Sequence, residues 1–208
     1  MPDVKICGIT TPDAMTAALE SGARFVGFLF IPSSRHAIEP EAAAYLAHFV
    51  PSDVYKVGLF QDADDAHITR VLQEVPLDML QLHGKESPGR VAEIKQLTGL
   101  PVIKALSLQS EADFAMIEGY EAIADWLLFD APKGGSGKTF DWHLLRRYCQ
   151  RTPLIRPWML AGGLNEANIG DALSLLDPDA VDVSSGVETG GVKDATKIRR
   201  FVEQVMNR

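Results

Sequence analysis

The sequence predicts a (β/α)8 barrel: one α/β domain over residues 1–208, its active site at the C-terminal ends of eight parallel strands. Two observations carry this expectation. Eight β-rich runs alternate with helical patterns along the whole chain, and strands separated by helices are joined by crossovers that leave them parallel. No linker, low-complexity tract or charge block divides the 208 residues, a length that α/β barrels reach as one domain. An open doubly wound sheet is the alternative. It often carries a G-x-G-x-x-G fingerprint after its first strand, and "CGITTPDA" has none.

The elements follow in order. "VKICG" (4–8) opens the chain as a strand, then "TPDAMTAALESGA" has helical spacing behind a Thr-Pro start. "FVGFLF" (25–30) and "YKVGLF" (55–60) are apolar runs of strand length, the second followed by the helical "DADDAHITRVLQEV". "MLQLHG" (79–84) leads to "SPGRVAEIKQLTG", capped by Ser-Pro and closed by Gly. "PVIKAL" (101–106) precedes the helical "SEADFAMIEGY", and "WLLFDA" (126–131) precedes a helix starting near 139–141. "PWMLAG" (157–162) and "AVDVSS" (180–185) complete the eight.

Composition narrows the function. A net charge of −8 without a basic stripe argues against nucleic-acid binding, and any phosphate site must be built locally from backbone amides or a few cations. Two cysteines, Cys7 and Cys149, are too few for a disulfide framework. "MPDVKICGIT" is not a signal peptide, and no apolar run approaches the ~18 residues of a membrane span. A cytoplasmic protein without membrane contact is the expectation.

In such a barrel the chemistry stands at the strand ends. Alternation puts Cys7 on one face with Lys5, and Gln81 on one face with His83. Asp130 ends the sixth strand and lies too far ahead of the next helix to cap it. Arg35 sits in the "IPSSRHAI" loop. Cys149, on the outer helix, reads as a small buried hydrophobe. His83 fits a structural histidine as well as a site residue. Asp182 shares the inward face of the eighth strand with Ser184, where it either pairs with Lys5 or leaves Lys5 to activate Cys7.

Glycine loops follow strands seven and eight, where barrels bind phosphate: Gly162 and Gly163 in "AGGL", and Ser184, Ser185 and Gly186 in "SSGVE". The run "FDAPKGGSGKTFDW" imitates a nucleotide-binding P-loop. Its first required glycine is replaced by Pro132, which has no N–H, so the loop reads as a lid over a sugar instead.

Taken together, "VKICGIT", "GFLFIPSSRHAI", "VGLFQD", "QLHGKE", "IKAL", "LLFDA…GGSGKTFDW", "LAGGLN" and "VDVSSGVETGGVKD" resemble the phosphoribosylanthranilate isomerases of tryptophan biosynthesis, in order and along the whole chain. His36 beside Arg35 departs from the usual pattern. The resemblance implies an Amadori rearrangement of N-(5-phosphoribosyl)anthranilate, with Asp130 as general acid and Cys7 as general base. It implies Arg35 at the anthranilate portion and the two glycine loops at the phosphate. Gln81, His83 and Asp182 join as substrate contacts. Proton transfers suffice for this chemistry, so neither metal nor cofactor is expected. The partner is a small phosphorylated substrate, and the protein a monomer. Lys138 would add charge near the substrate, or be solvated. Rival readings are the related histidine-pathway sugar isomerase, which looks like a two-aspartate catalyst, and a non-catalytic barrel that binds a phosphorylated metabolite.

Overall fold

The computed structural model describes residues 1–131 and 139–207. The glycine-rich loop and Lys138 therefore lie outside the described residues. Eight parallel strands close into a barrel in sequence order: β1 (Asp3–Cys7), β2 (Phe25–Leu29), β3 (Tyr55–Phe60), β4 (Met79–Leu82), β5 (Val102–Ser107), β6 (Trp126–Asp130), β7 (Trp158–Leu160) and β8 (Ala180–Val183). The ring closes where β1 pairs with β8, Lys5 opposite Asp182. Helices α1 (Pro12–Glu20), α2 (Pro40–Ala47), α3 (Asp65–Glu74), α4 (Pro88–Thr98), α5 (Ile117–Glu121), α6 (Trp142–Arg151), α7 (Ile169–Leu175) and α8 (Ala195–Met206) fill the connections and the C-terminus. A short hairpin, β9 (Glu188–Thr189) with β10 (Val192–Lys193), follows β8.

The caps expected from sequence do their work. Thr11, Ser87 and Asp141 each accept a hydrogen bond from a backbone N–H in the first turn of α1, α4 and α6. Gly99 ends α4 in the left-handed conformation, φ 68°.

Several strands stop sooner than their apolar runs suggest. Gly8, His83, Gly84, Ala161, Ser184 and Ser185 lie beyond the ladders, because the chain turns at Gly8 (φ 80°) and Gly162 (φ 85°) to leave the ring. The segment "SEADFAMIEGY" is a 3-10 turn over Glu111–Met116 continued by α5, rather than one α-helix. Asp113 accepts from the N–H groups of Gln109 and Ser110, which tightens that start.

Two cores result from the alternation of strand residues. Val4, Ile6, Val26, Leu80, Leu82 and Phe129 point outward into the layer beneath the helices. Phe25, Val57, Leu59, Ile103, Leu128 and Met159 fill the barrel itself. Phe25 closes the N-terminal end, stacked on Tyr55 at 5.2 Å and edge-on to Trp126 at 5.6 Å. Among the described residues, no helix is long and apolar enough to cross a membrane.

Candidate active site

A cavity of about 500 Å³ opens at the C-terminal end of the barrel. It is lined by Cys7, Arg35, Gln81, His83, Asp130, Gly162, Gly163, Asp182, Ser184 and Ser185. Gly186, expected in the same group, does not line it. Gly186 is the middle residue of the short turn after β8 (Ser185–Val187), where a side chain would meet the Leu164 carbonyl oxygen at 1.9 Å; its lack of a Cβ lets the loops after β7 and β8 touch. Strands β1 and β6 stand three places apart in the ring, and their last residues, Cys7 and Asp130, line this cavity together.

Asp130 is buried and held on both oxygens. Oδ1 accepts from the Ala131 N–H at 2.7 Å, and Oδ2 lies 3.1 Å from His83 Nε2. His83 is held in turn by Gln81, whose Nε2 is 3.1 Å from Nδ1. With the Gln81 amide donating to Nδ1, the imidazole proton sits on Nε2 and faces Asp130. Gln81 is fully buried, and among the described residues its Oε1 has no hydrogen-bond partner. Gly162 makes room for this group, since a side chain there would stand 2.5 Å from the Ala131 nitrogen and 3.0 Å from Asp130 Oδ1.

Cys7 sits in the barrel's apolar interior beside Lys5. Its partner across the ladder is Gly27, where a side chain would lie 3.3 Å from the sulfur. Lys5 is fully buried and donates to Asp182 Oδ1 at 2.8 Å, the structural pairing. Burial pulls Lys5 down, but Asp182 and then Cys7 outweigh it and hold the ammonium above its ordinary value. The thiol is a different matter. Burial pushes Cys7 from 9.0 up to about 11, and Asp182 adds to the rise, while Lys5 and Lys193 oppose it. Of the two alternatives open for Lys5, the structure shows the pairing with Asp182; Lys5 still lowers the thiol's pKa, but burial outweighs it.

Four charged residues around the cavity escaped sequence reasoning. Glu188 of β9 binds Arg35 Nη2 at 2.9 Å and Lys193 of β10 at 2.6 Å. Lys193 also donates to the carbonyl and hydroxyl oxygens of Ser184. Under the loop after β4, buried Lys104 donates to Glu86 at 2.7 Å and to the carbonyls of Leu82 and Gly84, on either side of His83. Burial opposes ionisation of Glu86, yet the hydrogen bond and charge of Lys104, joined by the Asp62 N–H, together outweigh it and hold the carboxyl below its ordinary value. Both pairs lie in segments already singled out, "VDVSSGVETGGVKD" and "QLHGKE" with "IKAL". Their partnerships depend on the hairpin and the strand register, which spacing does not reveal.

With this geometry in view, comparison with known proteins is decisive. The pattern of the N-(5'-phosphoribosyl)anthranilate (PRA) isomerase family matches residues 4–204. The chain belongs to this family. An N-(5'-phosphoribosyl)anthranilate isomerase of Paramagnetospirillum magneticum is 51% identical over 209 residues, covering 97% of this chain and 95% of that one. The isomerase of Paracoccus denitrificans is 48% identical, covering 96% and 94%. Among solved structures, the phosphoribosyl anthranilate isomerase of Thermotoga maritima superposes with a TM-score of 0.90 at 38% identity, over all of both chains. Another phosphoribosyl anthranilate isomerase, solved in complex with reduced 1-(o-carboxyphenylamino)-1-deoxyribulose 5-phosphate, gives 0.88 at 36% identity over all of both chains.

Proposed function

We propose that this PRA isomerase family member converts N-(5'-phosphoribosyl)anthranilate into 1-(2-carboxyphenylamino)-1-deoxy-D-ribulose 5-phosphate, with Asp130 as general acid and Cys7 as general base. The observation that carries the reading is the placement of one carboxyl and one thiol on β6 and β1, lining a single cavity.

The reaction moves protons without net oxidation, as an isomerisation must. Asp130 gives its proton to the furanose ring oxygen, the C1′–O bond breaks, and the amine lone pair forms an iminium. Cys7 as thiolate takes the C2′ proton, the C–H pair becomes the enol double bond, and the iminium nitrogen recovers its electrons. Tautomerisation to the ketone completes the rearrangement. His83 and the Ala131 N–H orient the acid.

Arg35 is held by Glu188 and His36, but its side chain is 59% exposed and can turn to the anthranilate portion. Its guanidinium suits a carboxylate there. The amides of Gly162 and Gly163 and the Ser184–Ser185 segment receive the phosphate, while Gln81 Oε1 offers an acceptor to a substrate donor. Asp182, already bound to Lys5, contributes a wall of the site.

All these groups come from one chain, so a monomer suffices for the chemistry, although a Thermotoga maritima relative is described as dimeric. Assay of the purified protein on N-(5'-phosphoribosyl)anthranilate and on the histidine-pathway aminoaldose tests the reading. Turnover of the first is expected. Turnover of the second alone, or of neither, overturns it.

A further inference from the structure

We propose that the buried pair Lys104–Glu86 holds His83 where it orients the acid Asp130, so that both are positioning residues for the isomerisation. This inference rests on the function proposed above. His83 needs such support. Its side chain is 30% exposed, it lies beyond the end of β4, and its own N–H reaches sideways to the Phe60 carbonyl of β3 at 2.8 Å. Packing on one side does not fix a ring of this kind, so the backbone that carries it must be held.

Lys104 supplies the hold. Its neighbours on β5, Ile103 and Ala105, point into the barrel, so its own side chain runs outward beneath the loop after β4, with 1% of it exposed. The β4–β5 ladder ends at Leu82 opposite Lys104. Beyond that point the ammonium takes over as donor, to the Leu82 carbonyl at 3.1 Å and the Gly84 carbonyl at 2.8 Å. One group thus grips the chain on both sides of His83. Its third bond, at 2.7 Å, goes to Glu86 Oε2.

Glu86 carries the grip to the loop after β3. Its buried carboxylate accepts from the Asp62 N–H at 2.8 Å on Oε1, and its two oxygens share the Gly84 N–H at 3.2 and 3.0 Å. Asp62 has φ 48°, the one non-glycine residue in the left-handed region among those described, and its Oδ1 accepts in return from the Lys85 N–H at 2.6 Å. Gly84 permits this crossing of loops, since a Cβ there would stand 2.5 Å from Asp62 Oδ1 and 2.6 Å from the Asp62 nitrogen. From α5, the Tyr120 hydroxyl donates to the Glu86 carbonyl oxygen at 2.9 Å. Neither Lys104 nor Glu86 lines the cavity, whereas His83 does. Their effect on the reaction therefore passes through the residue they hold.

The test is a double-mutant cycle with His83. Lys104→Met is expected to lower kcat roughly tenfold with a smaller change in KM, and Glu86→Gln to act in the same direction. In a His83→Ala background each is expected to change kcat by less than about twofold, because the group they position is gone. A parental kcat in folded Lys104→Met overturns the proposal, as does a fall of the same size with and without His83, which marks a general loss of structure. Should Lys104→Met not fold, Glu86→Gln, which keeps the side chain's volume, decides by the same cycle. A second readout needs no turnover: the imidazole nitrogen NMR signals of His83, assigned by their loss in His83→Ala. The parent is expected to show a fixed Nε2–H tautomer, and the variants a ring averaged between tautomers. Identical His83 signals in parent and variants overturn the proposal. Because this spectrum requires no substrate, a failure of the isomerase reading appears separately, as a parental protein inactive on N-(5'-phosphoribosyl)anthranilate.

Discussion

His83 Nε2 lies 3.1 Å from Asp130 Oδ2, and its Nδ1 lies 3.1 Å from the amide nitrogen of Gln81. The acid is thus gripped by a side chain that is itself gripped from inside the barrel. His83→Ala removes a hydrogen bond to a carboxyl group, worth ~1.5–3 kcal/mol when charged. The expected result is a fall in kcat of roughly ten- to a hundredfold with a smaller change in KM. Steady-state kinetics check this; a variant with parental kcat contradicts the orienting role.

Replacing the acid separates the two halves of the reaction. Asp130→Asn is isosteric and keeps the ring-facing position, but has no acidic proton to give. Turnover of the closed-ring substrate is expected to fall by ~10²–10⁴, the usual contribution of general acid–base catalysis. A substrate analogue already opened at the ring is expected to lose far less. Equal losses on the two substrates rule out a role confined to ring opening.

Cys7→Ser is expected to lower kcat by a similar ~10²–10⁴ while the fold survives, because a hydroxyl is a far weaker base at neutral pH. The same substitution has a signature in stability. Burial raises the thiols of Cys7 and Cys149 from 9.0 to about 11. Between pH 9 and about 11 the unfolded chain releases protons that the folded chain keeps, so stability is full below pH 9 and declines above it. Thermal unfolding across that window is expected to show a shallower decline in Cys7→Ser than in the parent, with Cys149 still contributing. An identical slope contradicts the buried, protonated thiol.

The glycine turn after β8 gives a structural test of the phosphate site. A Cβ at Gly186 would stand 1.9 Å from the Leu164 carbonyl oxygen, so Gly186→Ala must push the loops after β7 and β8 apart. Inorganic phosphate is expected to compete with substrate in the parent and to compete less well in the variant. Purely noncompetitive inhibition, or unchanged competition in a folded variant, removes the phosphate from these loops.

Lys5 and Asp182 test the barrel interior. Asp182→Ala strands a fully buried ammonium, and breaking such a pair costs ~3–5 kcal/mol. Chemical denaturation is expected to show a loss of that order, whereas the double variant Lys5→Met/Asp182→Ala recovers much of it. A single variant as stable as the parent shows that the pair does not hold the ring.

Much of this molecule was legible before its coordinates. Eight β-rich runs and capped helices dictate a parallel barrel, because a strand's alternation and a helix's end signals are local properties of backbone and side chain. That same alternation put Cys7 with Lys5 and Gln81 with His83, and the strand ends put Cys7 and Asp130 at one mouth. Relations between distant segments were decided only by the closed ring. Strand register set Lys5 opposite Asp182 and Cys7 opposite Gly27. The turn beyond β8 brought Glu188 to both Lys193 and Arg35. Close packing of the loops after β7 and β8 gave Gly186 a task unlike the one its motif suggests. Such partnerships depend on distances of a few ångströms between segments far apart in the chain, and on the water that burial removes from them. Both arise only when the ring closes.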